Sequence, residues 1–478
     1  MGEELGMTAK KKDFNEWYVE VIKKAGLADY SSVSGCMIIR PYAYRIWESL
    51  KCLLDERFRK LGVKNAYFPV FIPEKLLKKE SEHVEGFSPE VAWVTEGGSS
   101  KLEERLAIRP TSETIMYESY AKWIRSWRDL PLKINQWVNV VRWEFKNPII
   151  FLRNREFLWQ EGHTAHEEKK DAEKEVLDIL EIYREVVEDY MAIPSVKGRK
   201  SDKEKFAGGE YTVTLEHLMP NGKAIQGPDS HHLGQNFSRA FGVKYLDKNE
   251  EEKYVWQNSW GFTTRQLGIM FAVHGDDKGL VIPPRVAPVQ VIIVPIYKEG
   301  SRKKVLKSAG ELLKPLRGFS VELDDRDGYT PGFKFNEWEL KGVPLRIEIG
   351  PKDIEKGQVV LVRRDNGEKK PVKTKDLEKE AEKTLDSIQK NLLDRAEKFM
   401  KDHTKEVKTY EEFKKALEDN WIIANWCGET ACEEKVKDET GAKIINIPFD
   451  LNKKKPSGKC FCGCGKPAKH KVYFAKSY

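Results

Sequence analysis

The densest grouping of residues able to act on a phosphorylated substrate is Val141-Arg142-Trp143-Glu144-Phe145, followed shortly by Phe151-Leu152-Arg153-Asn154-Arg155-Glu156-Phe157. If the first run is a strand, alternation puts Arg142 and Glu144 on one face. Asn147-Pro148 marks a turn that returns a second strand beside the first. Such a hairpin offers one guanidinium to a phosphate oxygen, a second from its loop to outer phosphates, and an aromatic ring, Phe157, to stack on a base. Any nucleotide site must be built from side chains in this way, because neither G-x-x-x-x-G-K-[ST] nor G-x-G-x-x-G occurs. Trp159, Glu161 and His163 alternate along the next run and so share one face of a strand. His163 and His166 have no third ligand in view, and a metal reading of that pair is set aside.

A second chemistry lies in the cysteines. Cys36 and Cys52 stand alone, whereas Cys427, Cys432, Cys460, Cys462 and Cys464 crowd the end of the chain. In a reducing compartment this reads as metal ligation rather than as disulfides. Cys427, Cys432, Cys460 and Cys462 supply four thiolates for tetrahedral Zn²⁺, an all-thiolate shell that leaves no open position for catalysis. Cys464 is a fifth candidate, so the second pair is either 460/462 or 462/464.

The elements that must position these groups follow from periodicity. Arg40–Leu61 is expected to be helical, and Ala172, Val176, Ile179, Leu180, Tyr183, Val187 and Tyr190 form an apolar stripe that predicts a helix over Asp171–Tyr190. Between them Trp137–Phe145 and Phe157–Thr164 read as strands, giving an α+β domain with an antiparallel sheet flanked by helices. Ile282-Pro283-Pro284-Arg285-Val286-Ala287-Pro288 holds the chain extended and marks a boundary. Strands are then expected at Val289–Pro295, Phe319–Leu323, Val343–Ile349 and Val359–Val362, with helices at Ser301–Leu316 and Phe333–Leu340: a small α/β domain whose recognisable elements end near residue 366. Thr374–His403 reads as one long helix with Thr374 as its N-cap, leading to the cysteine-bearing tail. The expected domains are 1–285, 286–373 and 374–478, in line with ~150 residues per domain.

Composition bounds the class. Hydrophobic residues make up 40% and charged residues 33% of 478, a globular balance. The longest nearly unbroken apolar run, Val289–Tyr297, is far short of the ~20 residues of a membrane span. The polar, charged Met1–Lys12 lacks the apolar core of a secretory signal, and a cytoplasmic protein with no membrane association is expected. The net charge of +7 is too small to identify a polyanion-binding protein, though a local basic face can still do so.

Taken in order, these blocks resemble a known family. Arg142-x-Glu144 with Arg153-x-x-x-Phe157 resembles motif 2 of the class II aminoacyl-tRNA synthetases; Leu61–Pro73 resembles motif 1; Gly261-Phe262-Thr263-Thr264-Arg265 resembles motif 3. Arg109-Pro110-Thr111-Ser112-Glu113, Phe157–His163, His231–Phe237 and the closing Ser477-Tyr478 together resemble a prolyl-tRNA synthetase of the archaeal and eukaryotic type, across essentially the whole chain. The resemblance implies activation of L-proline with ATP and Mg²⁺, transfer to tRNA(Pro), a homodimer built on motif 1, an anticodon-binding α/β domain and a small zinc-binding α+β tail. It implies that Thr111 and Glu113 hold the prolyl ammonium, and that Trp159, Glu161, His163 and His231 line the pocket. Arg142 would touch both the carboxylate and the α-phosphate, and Arg265 would share the catalytic role. ATP would meet Arg142, Glu144, Arg153, Asn154, Phe157, Gln226, Thr263 and Arg265. Many relatives have Thr where this chain has Asp229, which sets that side chain apart from the ATP contacts. Glu339, Arg346 and Lys352 are the anticodon candidates.

Overall fold

The computed structural model describes residues 6–83, 90–144 and 147–478. Its centre is an 11-stranded sheet. The strands that carry the site are β1 (Leu132–Val141), β2 (Glu156–His166), β3 (Val196–Arg199), β4 (Tyr211–Leu218), β5 (Ala224–Gly234) and β6 (Trp256–Thr263). They lie side by side in the order β3-β4-β5-β6-β2-β1, all antiparallel, with the two-residue strand Lys64–Asn65 added in parallel at the β1 edge.

Period-2 alternation divides this sheet into a helix-covered face and a face that bears the site. On the covered side, Trp260 and Phe262 of β6 and Val213 and Leu215 of β4 join one continuous apolar core. Helices α1 (Pro41–Lys60), α2 (Glu113–Trp123), α3 (Lys169–Glu185) and α4 (Arg265–His274) have different duties. α1 starts on a proline, which tolerates the first helical turn, and buries Ile46, Leu50, Leu54 and Phe58 every four residues. α3 sends Val176, Ile179, Leu180 and Tyr183 into the same core, and the Tyr183 hydroxyl donates to Gln160 Oε1 at 2.8 Å through the covered face of β2. The stripe expected to run to Tyr190 changes pitch: residues Val186–Tyr190 form a π-helical turn.

Residues 291–373 form a second sheet of five strands, in the order Val321–Leu323, Val291–Pro295, Leu345–Ile349, Gln358–Arg363 and Lys369–Lys373. The first three are parallel and the last two antiparallel. The fifth strand lies beyond the expected end near residue 366, because its Lys-rich sequence hides a single inward Val372. The proline-rich stretch before this sheet packs tightly: Leu280 and Ile282 donate backbone hydrogen bonds to Leu340 and Gly342, and Val281, Ile282 and Val286 are buried. Helix α5 (Leu377–Asp402) follows a 3₁₀ turn at Thr374–Asp376, so Asp376 rather than Thr374 sits at its N-cap.

The tail is not a separate bead. Its strands β7 (Trp421–Trp426), β8 (Lys443–Pro448) and β9 (His470–Ala475), with Thr404–Glu406 outermost, are ordered Thr404–Glu406, β7, β9, β8, and β8 pairs with β3. The segment Pro194–Gly209, whose basic sequence reads as a loop, carries β3 and is therefore the seam of one continuous sheet. Gly198 is required there, since a Cβ would stand 2.5 Å from the Ile447 carbonyl oxygen. Lys200 crosses the seam to the Ile445 carbonyl at 2.9 Å while pairing with Glu216 of β4 at 2.6 Å, and Asn446 Nδ2 donates to Val196 O at 2.8 Å.

The expected hairpin is also corrected. Strand β1 ends at Val141; Arg142 keeps one cross-strand bond, its N–H to Arg155 O at 2.8 Å, and Trp143-Glu144 is already a turn. Arg142 and Glu144 thus owe their placement to a loop and not to alternation, and Phe145 lies outside the described residues.

Candidate active site

Cross-strand register assembles the site in rows. Glu161, Gly261 and Asp229 are paired across β2, β6 and β5; His163, Ser259, His231 and Thr212 are paired across β2, β6, β5 and β4. Above these rows lies a cavity of about 420 Å³, walled by residues from six segments that are distant in sequence. Of the residues expected at the proline and ATP sites, all but Arg153 border it: Thr111, Glu113, Trp159, Glu161, His163 and His231 together with Arg142, Glu144, Asn154, Phe157, Gln226, Thr263 and Arg265.

One end of the cavity is acidic and rigid. Glu161 is buried at 2% exposure and accepts from Ser112 Oγ at 2.5 Å, Ser112 N at 3.1 Å and Gln136 Nε2 at 2.7 Å. His163 Nε2 lies 3.0 Å from it, and Tyr117 OH lies 3.1 Å from His163 Nδ1. Burial alone pushes the Glu161 carboxyl up, but the His163, Ser112 and Gln136 contacts hold it below the ordinary glutamate range. Burial likewise pushes His163 down, and the Glu161 and Glu113 carboxylates overcome that and raise it. Glu113, the first residue of α2, accepts from the Thr111 hydroxyl. Two fixed carboxylates beside a small volume suit a cationic ligand. Sequence reasoning missed Ser112, Gln136 and Tyr117; Gln136 stands directly opposite Glu161 in the β1–β2 register, a pairing invisible before the strands are aligned.

The middle of the cavity is spanned by Arg142. Its Nε donates to Pro110 O at 3.1 Å, and its guanidinium lies 5.3 Å from the Trp159 ring and 5.6 Å from the Phe157 ring. The group is thereby fixed between the acidic end and the opposite wall. Trp159 Nε1 and Ser259 Oγ are buried with no hydrogen-bond partner, a costly state that a polar ligand in the cavity relieves. Gly162, between Glu161 and His163, has its place because a Cβ there would stand 2.2 Å from the Trp260 ring.

The opposite wall is built for anions. Arg265, at the start of α4, donates through Nε to Leu152 O at 3.0 Å and through Nη1 to Gln226 O at 3.4 Å. Burial lowers its pKa and Arg142 nearby lowers it further, against the Asp229 and Glu216 carboxylates that raise it: two guanidiniums share this wall. Asp229 accepts from Gln226 Nε2 at 2.5 Å and lies 3.3 Å from His231 Nε2. It braces two expected site residues. Thr212 Oγ1 at 2.9 Å and the stacked ring of Phe206 complete the His231 setting. Arg153 borders a smaller neighbouring cavity of about 140 Å³, shared with Lys200, Glu216, Arg265 and Tyr478. Tyr478 is held there by Ala224 through a backbone bond at 3.1 Å and by Asn221, whose Nδ2 donates to its hydroxyl at 2.9 Å.

His166 faces away from the cavity, toward Glu175 at 2.9 Å and Thr164 at 3.1 Å, as alternation demands. Among the anticodon candidates, Glu339 pairs with Lys278 at 3.0 Å, Arg346 lies 4.2 Å over Phe335 and bonds Glu348 at 2.9 Å, and Lys352 is exposed.

In the tail, the sulfurs that lie within 4.8 Å of one another belong to Cys427, Cys432, Cys460 and Cys464. Cys427 Sγ is 3.6 Å from Cys432 Sγ and 3.8 Å from Cys464 Sγ, matching the edge of ~3.8 Å that a ~2.3 Å Zn–S bond sets in a tetrahedron. Cys462, expected as the fourth ligand, turns its thiol to the Cys432 carbonyl oxygen at 3.8 Å instead. Gly463 and Gly465, both at positive φ, flank Cys464, and it is Cys464 that closes the set.

Comparison with known proteins adds three family matches: the tRNA synthetase class II core domain (G, H, P, S and T) over residues 93–274, the anticodon binding domain over 290–384, and the prolyl-tRNA synthetase C-terminal domain over 410–478. The chain is similar to the proline–tRNA ligase of Natranaerobius thermophilus, 52% identical over 476 residues, and to that of Alkaliphilus oremlandii, 54% identical over 477 residues; each match covers 99% of this chain and 98% of the relative. Its fold is similar to the crystal structure of prolyl-tRNA synthetase from Cryptosporidium parvum complexed with halofuginone and AMPPNP, with a TM-score of 0.94, 49% identity, and coverage of 99% of this chain and 100% of that one.

Proposed function

The chain belongs to the prolyl-tRNA synthetase family, and we propose that the cavity over its sheet is where L-proline is activated with ATP before transfer to the 3′ end of tRNA(Pro). Proline–tRNA ligation, a class II aminoacyl-tRNA synthetase activity, follows from membership; the roles given to side chains are our reading. In it, residues 1–285 carry the chemistry, 286–373 read the anticodon and 374–478 brace the site.

The observation that carries this reading is the position of Arg142, fixed between a carboxylate-lined end and an arginine-lined wall. The secondary ammonium of proline is matched by Glu113 and Thr111, and its ring by Trp159 in the pocket that Glu161, His163 and His231 complete. Arg142 then meets the substrate carboxylate on one side and the α-phosphate on the other. That carboxylate, ionised at neutral pH, attacks the α-phosphorus and displaces pyrophosphate to give prolyl-adenylate, so no general base is needed; the protein supplies alignment and neutralisation of charge growing on the phosphate oxygens. Phe157 offers its face to the base, while Arg265, Gln226, Thr263 and Asn154 hold the rest of ATP, with Arg153 reached from the adjoining cavity. Mg²⁺, which the class II core implies, supplies further charge neutralisation. Glu144 and Gln226 are the oxygen donors at the wall that suit it.

We assign a structural Zn²⁺ to Cys427, Cys432, Cys460 and Cys464 on the strength of their spacing. A homodimer is supported by the segment Leu61–Pro73, where Tyr67 is 71% and Phe71 45% exposed next to the open Lys64–Asn65 edge. Arg346 and Lys352 are the anticodon contacts we favour, with Glu339 tied to Lys278 at the domain junction. Among the described residues, no helix is long and apolar enough to cross a membrane.

The test is ATP–pyrophosphate exchange with each of the twenty amino acids in turn. Exchange dependent on proline is expected; its absence, or stronger exchange with an unrelated amino acid, overturns the assignment.

A further inference from the structure

We propose that the lysine-rich end of the tail domain is a phosphate-binding surface for the RNA substrate, separate from the anticodon domain and from the catalytic cavity. This rests on the ligase reading above.

The charge is distributed with extreme asymmetry. Residues 451–478 contain eight lysines and no Asp or Glu, so residues 1–450 carry 75 of the 83 Lys+Arg against all 76 Asp+Glu. The whole positive excess of the protein comes from this one segment.

The fold then gathers the charge at one place. In the antiparallel β7–β9 pair, Trp426 faces His470 and Asn425 faces Lys471, which brings the end of β7 and the start of β9 together. Lys469 is tied there by its N–H to Trp426 O at 2.8 Å. A tight hairpin, closed by Lys459 opposite Pro467 and by the Cys460 N–H on Lys466 O at 3.0 Å, sets Lys459 and Lys466 beside the thiols. The preceding loop is pinned to the same end: Asn452 exchanges bonds with the Lys471 backbone at 2.7 and 2.9 Å, and Asn425 Nδ2 holds Ser457 O at 2.9 Å. Only Lys476 lies at the other end of β9, on the way to Tyr478 and the catalytic domain.

Acidic partners account for part of this charge. Glu429 meets Lys466 at 3.2 Å and Lys469 at 3.8 Å, and Glu406 meets Lys471 at 2.8 Å. Lys453, Lys454, Lys455 and Lys459 are exposed and take part in no ion pair among the described residues. Four ammoniums on an anchored backbone repel one another, and a chain of phosphates is the complement that relieves this. Four thiolates around one divalent cation leave two negative charges, well short of eight lysines. Lysine is a point charge, so such contacts strengthen and orient RNA binding without reading sequence.

The test compares the full-length protein with K453A/K454A/K455A/K459A and with the matching four-arginine variant. The dissociation constant for tRNA(Pro) is measured across a salt series, beside proline-dependent exchange without tRNA. The neutral variant is expected to bind at least ~10-fold more weakly at low salt, with a log–log salt slope shallower by about 3, while exchange is unchanged and the arginine variant binds as the parent does. Equal affinity and slope in parent and neutral variant, with exchange intact, overturns the surface. So does a loss that arginine fails to rescue. Failure of the parent to exchange with proline would instead remove the ligase reading on which the surface rests.

Discussion

Replacing Arg142 with alanine removes a guanidinium that grips the Pro110 carbonyl and lies over two aromatic rings but is not part of the buried apolar core. The fold should survive, with an unchanged melting temperature, and proline-dependent exchange should fall by at least ~10²–10³-fold, the cost of losing one preorganised charge at a transition state. A folded variant with near-parental exchange would refute the role. Two buried histidines make stability depend on pH. His217 and His274 are buried, and burial lowers each from 6.5 to about 4, against the carbonyls of Pro194 and Met191 that favour a proton on the bonded nitrogen. Above pH 6.5 both states are neutral and stability is whole. Between 6.5 and 4 the unfolded chain takes up protons that the folded chain refuses, so stability falls with pH by up to about 3 kcal/mol per histidine. Urea midpoints from pH 7 down to 4.5 should therefore decline, and His274→Gln, which keeps a donor, should flatten the profile; a midpoint insensitive to pH would contradict both assignments. Of the residues bordering the cavity, Arg142, Glu144, Phe157, Trp159, Glu161 and His163 were legible from type and spacing, whereas Thr111, Glu113, Asn154, Gln226, His231, Thr263 and Arg265 came only with the family resemblance. Their supports were legible in neither way: Gln136 and Ser112 are ordinary polar residues until a register places them against Glu161.

At the scale of elements, periodicity found the strands and helices with strong apolar rhythm, such as α1 and α5, and failed where geometry comes from partners. β3 reads as a basic loop because, although β4 follows it closely in the chain, its other neighbour, β8, is supplied by a distant segment. The Arg142 strand ended early because the turn at Trp143-Glu144 has no proline or glycine to announce it. The Cys460–Cys464 hairpin teaches the same lesson with a measurable consequence. Spacing pointed to Cys462 as the fourth thiol, whereas the sulfurs that converge are those of Cys427, Cys432, Cys460 and Cys464, with the Cys462 thiol against the Cys432 carbonyl oxygen. Cys464→Ser should lower the zinc content of purified protein well below one per chain, while Cys462→Ser should leave it at one. Elemental analysis giving the opposite pattern would restore the Cys462 set.

For the whole molecule, the exposed Tyr67 and Phe71 beside an unfilled sheet edge predict sedimentation at twice the 55.3 kDa chain mass; a species of single-chain mass at micromolar concentration would exclude the homodimer. The sheet that opens with residues 64–65 also has an unusual order of assembly. Its β3 edge is covered by β8, and β8 is itself held to β7 by β9, formed from residues 470–475. During synthesis the catalytic strands emerge hundreds of residues before their cover, leaving the N–H and C=O groups of Val196–Arg199 open to pairing with any other nascent chain. Closure of this layer thus waits for the tail, and a chain stopped at residue 403 should keep the edge bare and aggregate where the full chain stays dispersed. Light scattering during refolding of the two would separate them: equal turbidity would mean that the tail does not act as the sheet's guard.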